Sequence, residues 1–313
     1  MLQQFFARGR RSKPDFDSLL SPSSISSSAN IRLALPTAFP AYLASAKRIL
    51  CLTGAGLSVA SGIATFRDSK GKDRFWRDYQ VGILSTHQFF VDDPATSWLY
   101  HASRRNAALK AQPNGGHEAL ARLAEQRRDD MLVINQNIDG LLERAGMETG
   151  RVNLHGSFGD VRCADDSCSY FRFGDTADAV GPSPKVSDED ISDLARPLPA
   201  VSRDQLPHCP ICKHSLLRPG ILWFGEPIPK EKLERIEKFM KADEKIDLMI
   251  VVGTSAMVSP AADYVHRARK SGAKIAVFDL NMPVGTGVLQ EGDWFFEGDA
   301  SVSLPRMLEE LQG

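Results

Sequence analysis

The segment Arg48-Ile-Leu-Cys-Leu-Thr53 reads as a buried strand and runs straight into Gly54-Ala55-Gly56. Other apolar runs repeat the pattern. Met131 to Asn135 follows a helix around His117 to Arg127, Ile246 to Val252 ends in Gly253-Thr254-Ser255, and Lys274 to Leu280 follows a helix beginning near Pro260. A short amphipathic helix over Ala38 to Lys47 precedes the first strand. Strands alternating with helices predict an α/β fold with a doubly wound, mostly parallel, Rossmann-like sheet. Ligands of such sheets bind at the carboxyl ends of the strands, where each glycine or polar cluster falls in this chain.

At 313 residues the chain exceeds the usual size of one domain, so one large domain carrying a smaller insertion is expected. Between Val161 and Arg218 the alternation breaks, cysteines come in pairs, and Gly174 to Pro207 is rich in Asp, Ser and Pro. The expected division is a disordered or targeting tail over 1–35, a nucleotide-binding domain over 36–160 and 219–313, and a metal-binding module over 161–218 with a flexible insertion over 174–207. A content of 42% hydrophobic and 25% charged residues excludes a largely disordered or fibrous chain. The net charge of -1 gives no basis for direct nucleic-acid binding. No run of eighteen apolar residues occurs, so no membrane-spanning helix is expected. Five cysteines without a signal-peptide core point to a reducing compartment. The first residues carry Phe5, Phe6, Arg8, Arg10, Arg11 and Lys13 and no acid, which is compatible with a presequence for the mitochondrial matrix. A Ser-rich disordered tail is the alternative, with cytoplasm or nucleus as the compartment.

Four clusters carry chemistry. Gly54 and Gly56 allow a tight turn and let a diphosphate approach the backbone, but the ordinary dinucleotide fingerprint wants a third glycine where Val59 stands and a later acid at a second strand end. Neither is present. Gln136-Asn137-Ile138-Asp139 places amide and acid side chains at a strand's carboxyl end, suited to ribose hydroxyls and a carboxamide; the plain alternative is a cap for a helix over Gly140 to Ala145. In Asn153-Leu154-His155-Gly156, the imidazole beside a glycine suits a general base near neutral pH, although a lone histidine is more often structural. Cys163 with Cys168 and Cys209 with Cys212 match a closed tetrahedral Zn(II) site, which leaves no open position for a reacting water. Disulfides are the alternative, and Cys51 reads as an inert core residue.

The strings GAGLSVASGIATFR, QNID, LHG, the paired cysteines, LRPGILWFGE and VVGTS occur in the order found in the sirtuin family and cover about residues 40 to 305. The pattern most resembles class III sirtuins, the desuccinylases and demalonylases. The resemblance implies a NAD-dependent protein-lysine deacylase. In that family the acyl-lysine carbonyl oxygen attacks C1' of the nicotinamide ribose, and a histidine, here His155, then activates a ribose hydroxyl. The products are free lysine, nicotinamide and O-acyl-ADP-ribose, so NAD is a cosubstrate and zinc is structural. By the same match Asn137 and Asp139 join His155 in catalysis. Gly54, Ala55, Phe66 and Arg67 face the diphosphate and nicotinamide ribose, and Gln136, Asn137, Ile138 and Asp139 hold nicotinamide and its ribose. Gly253, Thr254, Ser255, Asn281 and Ala300 serve the adenosine half.

Trp223, Phe224 and Gly225 resemble the family's substrate strand, which adds to an extended target peptide. The implied partners are acylated lysine side chains of proteins, with histones or metabolic enzymes in view. Class III members carry a Tyr and an Arg three apart that bind an acidic acyl carboxylate; aligned on Trp98, Arg104 keeps the arginine and His101 replaces the tyrosine. His101 is expected to supply a weaker or pH-dependent second donor, leaving succinyl or malonyl against acetyl or crotonyl open. An exposed basic helix face is the plain alternative. Ala64 stands where the family has proline, and the first cysteine pair has four residues between its members instead of two, which is expected to loosen that turn. A NAD(P) dehydrogenase and a non-catalytic zinc module binding NAD or acyl peptides are the rival functions.

Overall fold

A computed structural model describes residues 33–66, 72, 74–174, 191, 193, 195–241, 245–256, 259–283 and 288–309. The basic N-terminal stretch, Arg67 and much of the 174–207 insertion lie outside the described residues. The strands are β1 (Ile49–Thr53), β2 (Phe75–Trp76), β3 (Tyr79–Gln80), β4 (Met131–Asn135), β5 (Arg151–Asn153), β6 (Gly156–Cys163), β7 (Phe171–Arg172), β8 (Leu217–Ile221), β9 (Leu248–Val252), β10 (Lys274–Asp279) and β11 (Trp294–Glu297). The helices are α1 (Phe39–Ser45), α2 (Val81–Leu84), α3 (His87–Asp92), α4 (Pro94–Lys110), α5 (Gly115–Arg127), α6 (Leu141–Arg144), α7 (Lys230–Met240), α8 (Ala261–Lys270) and α9 (Ala300–Glu309).

The main sheet runs β11-β10-β9-β1-β4-β5, and all its pairings are parallel. β1 is buried throughout and divides its side chains between two cores. Ile49 and Cys51 pack with Leu43, Leu120 and Leu304 on one face, while Leu50 and Leu52 pack with Ile236, Tyr264 and Val265 on the other. Each Leu, Ile and Val among these contributes roughly 1.5–3 kcal/mol by leaving water. From β1 the chain builds outward through β4 and β5, then crosses to β9 and builds the other way. That reversal opens a crevice between the ends of β1 and β9, where open parallel sheets take their ligands.

Two elements depart from the sequence reading. The ordinary nucleotide-binding pattern puts an α-helix after the glycine turn; here a seven-residue 3-10 helix, Ala55–Ser61, takes its place, ended by Gly62 in the left-handed region at φ 86°. Its tight winding offers no α-helical N-terminus, so any anion contact there falls to the turn's own backbone. The cysteine-bearing segment forms a second, antiparallel sheet in the order β7-β6-β8. Its strands begin at Gly156 and end at Ile221, slightly outside the 161–218 span drawn from the cysteines, because β6 starts pairing before its cysteine. Helix α4 starts on an Asp93 cap, which accepts from Thr96 N at 3.0 Å, and is anchored to β8 by Trp98 Nε1 donating to Leu217 O at 2.9 Å.

Candidate active site

Backbone meets backbone at the crevice. Gly54 N donates to Val252 O and Gly56 N to Gly253 O, at 2.9 and 2.8 Å. A Cβ on Gly56 would stand 2.7 Å from Gly253 Cα, and one on Gly253, itself at φ 58°, 2.2 Å from Leu57 N. Glycine is required at both positions for the two strand ends to touch.

Around this seam the polar residues form one connected set. Asn135 accepts from Thr53 Oγ1 at 2.9 Å and from Asn137 N at 3.1 Å, which folds the QNID segment back over β1. Gln136 then reaches across to Thr254 Oγ1 at 3.2 Å, and Asn137 Nδ2 donates to Gly54 O at 2.9 Å and to Ser58 Oγ at 3.2 Å. Asp139 accepts from Ser58 Oγ at 2.7 Å with one oxygen and from Leu141 N at 2.9 Å with the other, so it caps α6 and also enters the network.

Ser58 and His117 were not singled out from the sequence. Asn114 N donates to His117 Nδ1 at 3.2 Å, so Nε2 carries the proton and faces Ser58 Oγ at 3.4 Å. Burial, aided by Arg144, lowers the His117 imidazole to about 4 and keeps it neutral. Burial raises the Asp139 carboxyl above the ordinary range. A sequence signal for His117 exists in its place three residues after the Asn114 helix cap, where a Glu or Gln ordinarily closes the capping box. Ser58 has none beyond its proximity to the glycine turn.

His155 follows β5, and its Nδ1 lies 2.9 Å from Gln136 O. A carbonyl only accepts, so Nδ1 carries the proton and Nε2 is left with a free lone pair. Burial lowers the imidazole below its ordinary value, partly offset by the Gln136 carbonyl and reinforced by Lys232. The ring is therefore neutral and basic at Nε2 at neutral pH.

On the substrate side, Phe224 N donates to Ser85 O at 3.0 Å, so one edge of the Trp223–Gly225 segment is already paired within the chain. The exposed Phe224 meets the Phe66 ring edge-on at 6.0 Å, which joins this segment to the loop after the glycine turn. Buried Arg218 fixes the turn: it binds both oxygens of Glu226, at 2.5 and 2.9 Å, and lies 3.5 Å over the Trp223 ring. Burial would raise the Glu226 carboxyl, but Arg218 holds it below the ordinary range. Glu226 closes the Trp223-Phe224-Gly225-Glu226 segment that resembles the substrate strand, whereas Arg218 escaped the sequence reading although it sits inside the LRPGILWFGE string.

His101 does not have the expected role of a pH-dependent donor. It is buried, its Nε2 accepts from Trp223 Nε1 at 3.0 Å, and burial, with Arg218 and Arg104 nearby, lowers it to about 3. Arg104, one turn on in α4, points elsewhere and donates to Ala64 O at 2.6 Å. Asn281 follows β10 and donates its N–H to Asp279, Ala300 is buried at the start of α9, and Ile138 packs against the small-sheet core. Ser255 follows Thr254 at the crevice. Arg67 lies outside the described residues.

The four sulfurs of Cys163, Cys168, Cys209 and Cys212 lie within 4.8 Å of one another, and none is in a disulfide. Cys163 to Cys212 and Cys168 to Cys209 each measure 3.7 Å. A tetrahedron with Zn–S bonds of about 2.3 Å has edges of about 3.8 Å, so the cluster is positioned to bind zinc. The longer first loop is stapled and not loosened: Asp165 accepts from Ser167 N and Oγ at 2.9 and 2.7 Å and lies 3.1 Å from His214 on the other knuckle.

A family model described as the Sir2 family matches residues 54–260. The chain belongs to the Sir2 family. It is 35% identical over 303 residues to an NAD-dependent protein deacylase of Candida albicans, covering 88% of this chain and 97% of the relative. It is 34% identical over 284 residues to the NAD-dependent protein deacylase sirtuin-5, mitochondrial, of Danio rerio, covering 87% and 86%. Among solved structures it is similar to a Sir2 homolog–NAD complex, with TM-score 0.72, 31% identity and coverage of 91% and 96%. It is also similar to a Sir2–p53 peptide–NAD+ complex, with TM-score 0.67, 27% identity and coverage of 88% and 98%. As a Sir2 enzyme the protein is an NAD-dependent protein deacylase, and the dehydrogenase and non-catalytic readings fall away.

Proposed function

We propose that the protein removes acyl groups from lysine side chains with His155 as general base, and that Arg104 favours acidic acyl groups. The observation that carries the first part is the His155 ring, held by Gln136 O through Nδ1 so that Nε2 is free to take a proton. NAD, when bound, supplies the ribose that accepts the acyl group. The Gly54-Ala55-Gly56 turn at the end of β1 is assigned to its diphosphate, since glycines put no side chain between ligand and backbone, and its contact with Gly253 holds the turn in place. Gly54, Ala55, Phe66 and Arg67 are assigned to that half, Gln136, Asn137, Ile138 and Asp139 to the nicotinamide ribose, and Gly253, Thr254, Ser255, Asn281 and Ala300 to adenosine. Within this set Asn137 and Asp139 hold Ser58, and Gln136 holds His155, so the base keeps its orientation without moving.

Trp223, Phe224 and Gly225 receive an extended acyl-lysine peptide, and the Phe66–Phe224 contact walls the lysine. The Sir2–p53 peptide–NAD+ complex supports a peptide substrate of this kind. The NAD domain is read as 36–160 with 219–313 and the zinc module as 161–218; loss of NAD binding on excising 174–207 would contradict that division. A mitochondrial address fits the basic, acid-free start and the relative named sirtuin-5, mitochondrial, and fractionation of the full chain into the cytosol would exclude it.

With His101 occupied by Trp223, one cation remains for an acyl carboxylate. A single charge-assisted contact at a half-buried site gives succinyl- and malonyl-lysine an advantage of about tenfold over acetyl- and crotonyl-lysine. The test is kcat/KM for the four acyl peptides at saturating NAD. Arg104→Met should remove the succinyl advantage; a preserved advantage would remove Arg104 from acyl selection.

A further inference from the structure

The stem of the cofactor loop, Ala64-Thr65-Phe66, leaves the glycine turn without the proline that resembling chains carry there, so its unbound backbone has more freedom to lose. Several contacts reach it from nearby. Arg74 Nε donates to Thr65 Oγ1 at 3.3 Å, Arg74 N donates to Phe66 O at 3.0 Å, and the Phe66 ring touches Phe224. These come from the adjoining hairpin and from one exposed aromatic. A further tie is of another kind: Arg104 Nη2 donates to Ala64 O at 2.6 Å from α4, a seventeen-residue helix locked to the small sheet through Trp98.

We propose that Arg104 is a positioning residue for the NAD-binding loop, so that one guanidinium both reads the acyl group and fixes the cofactor site. Only Nη2 is engaged; Nε and Nη1 make no hydrogen bond among the described residues. The planar fork can therefore take a carboxylate on its other donors while keeping Ala64 O. A fork already fixed by a carboxylate loses less side-chain freedom when it holds the loop, so acidic acyl groups strengthen NAD binding, and by linkage NAD strengthens theirs. This second half rests on the reading of Arg104 as the acyl-carboxylate partner. The first half does not.

The experiment compares wild type, Arg104→Met and Arg104→Lys, each checked for unchanged zinc content and thermal midpoint. Steady-state KM for NAD is measured at saturating acetyl-lysine peptide and again at saturating succinyl-lysine peptide. With the acetyl peptide, where no carboxylate is present, Arg104→Met should raise KM for NAD about fivefold with kcat changing less, and Arg104→Lys, which keeps a donor, should recover most of it. An unchanged KM for NAD in Arg104→Met overturns the positioning role, whatever the succinyl result. In wild type KM for NAD should be about threefold lower with the succinyl than with the acetyl peptide, and Arg104→Met should abolish the difference. Equal values in wild type overturn the coupling. A loop effect without any loss of succinyl preference in Arg104→Met would sink the acyl reading and leave the positioning role standing.

Discussion

Acidification should destabilise this protein through the imidazoles that burial lowers, His101, His117 and His155, and His101 allows the effect to be isolated. An unfolded imidazole titrates near 6.5, whereas His101 in the fold is lowered to about 3 by burial and by its two arginine neighbours. Between these values the unfolded chain binds more protons, so stability is fully present above about 6.5 and drains as pH falls. At pH 5 the unfolded imidazole is almost fully charged and the folded one almost fully neutral. The loss between pH 7 and pH 5 is therefore about 2 kcal/mol, set almost wholly by the unfolded value. His117, lowered to about 4, adds about as much over the same interval. In His101→Gln the amide oxygen can still accept from Trp223 Nε1 but cannot titrate. Urea unfolding followed by tryptophan fluorescence at pH 7 and pH 5 should show wild type losing about 2 kcal/mol more than His101→Gln. An equal loss in both proteins would mean that His101 is charged in the fold or free to leave Trp223.

Gly56→Ala places a methyl 2.7 Å from Gly253 Cα, a backbone clash with no side chain to yield, and should cost at least about 1–3 kcal/mol in urea while weakening NAD binding; unchanged stability would show that the seam can part. Ser58→Ala leaves the Asp139 oxygen and His117 Nε2 without their partner and should cost about 1–3 kcal/mol and lower kcat, with retention of both as the contrary result. Chelation should release one zinc per chain and unfold the small sheet, as should Cys212→Ser; a chain that keeps its near-UV spectrum without metal would make the cluster dispensable. Because the His155 pKa is lowered and the neutral ring is the active form, kcat/KM should be flat through neutral pH and fall only below the ordinary imidazole value; an acid limb above it would contradict the assignment.

The parts of the fold legible in the sequence are those whose pattern is local. β1 and β4 are unbroken apolar runs ending in a turn residue, and their limits were readable to within a residue. In α4 the helical period is masked over Thr96 through Ala102, which are all buried: that stretch passes between the small sheet, the hairpin and the insertion and has no solvent face to set a period. β8 contains Pro219 and Gly220, residues that argue against a strand, and survives as one because it lies at a sheet edge. In the site, the motif residues were found because they cluster in short strings. Ser58 and His117 are 59 positions apart and meet only through the packing of α5 on the glycine turn. The turning of His101 toward Trp223, 122 positions away, depends on the same kind of long-range contact, and the loop tie from Arg104 to Ala64 O does too.

The most direct measurement is product analysis with an acyl-lysine peptide and NAD, following nicotinamide, free-lysine peptide and O-acyl-ADP-ribose by mass spectrometry. Wild type should form the three in equal amounts, and His155→Ala, which keeps the fold but lacks the Nε2 base, should form O-acyl-ADP-ribose at least about a hundredfold more slowly. Undiminished O-acyl-ADP-ribose formation by His155→Ala, or deacylation without nicotinamide release in wild type, would contradict the assigned chemistry.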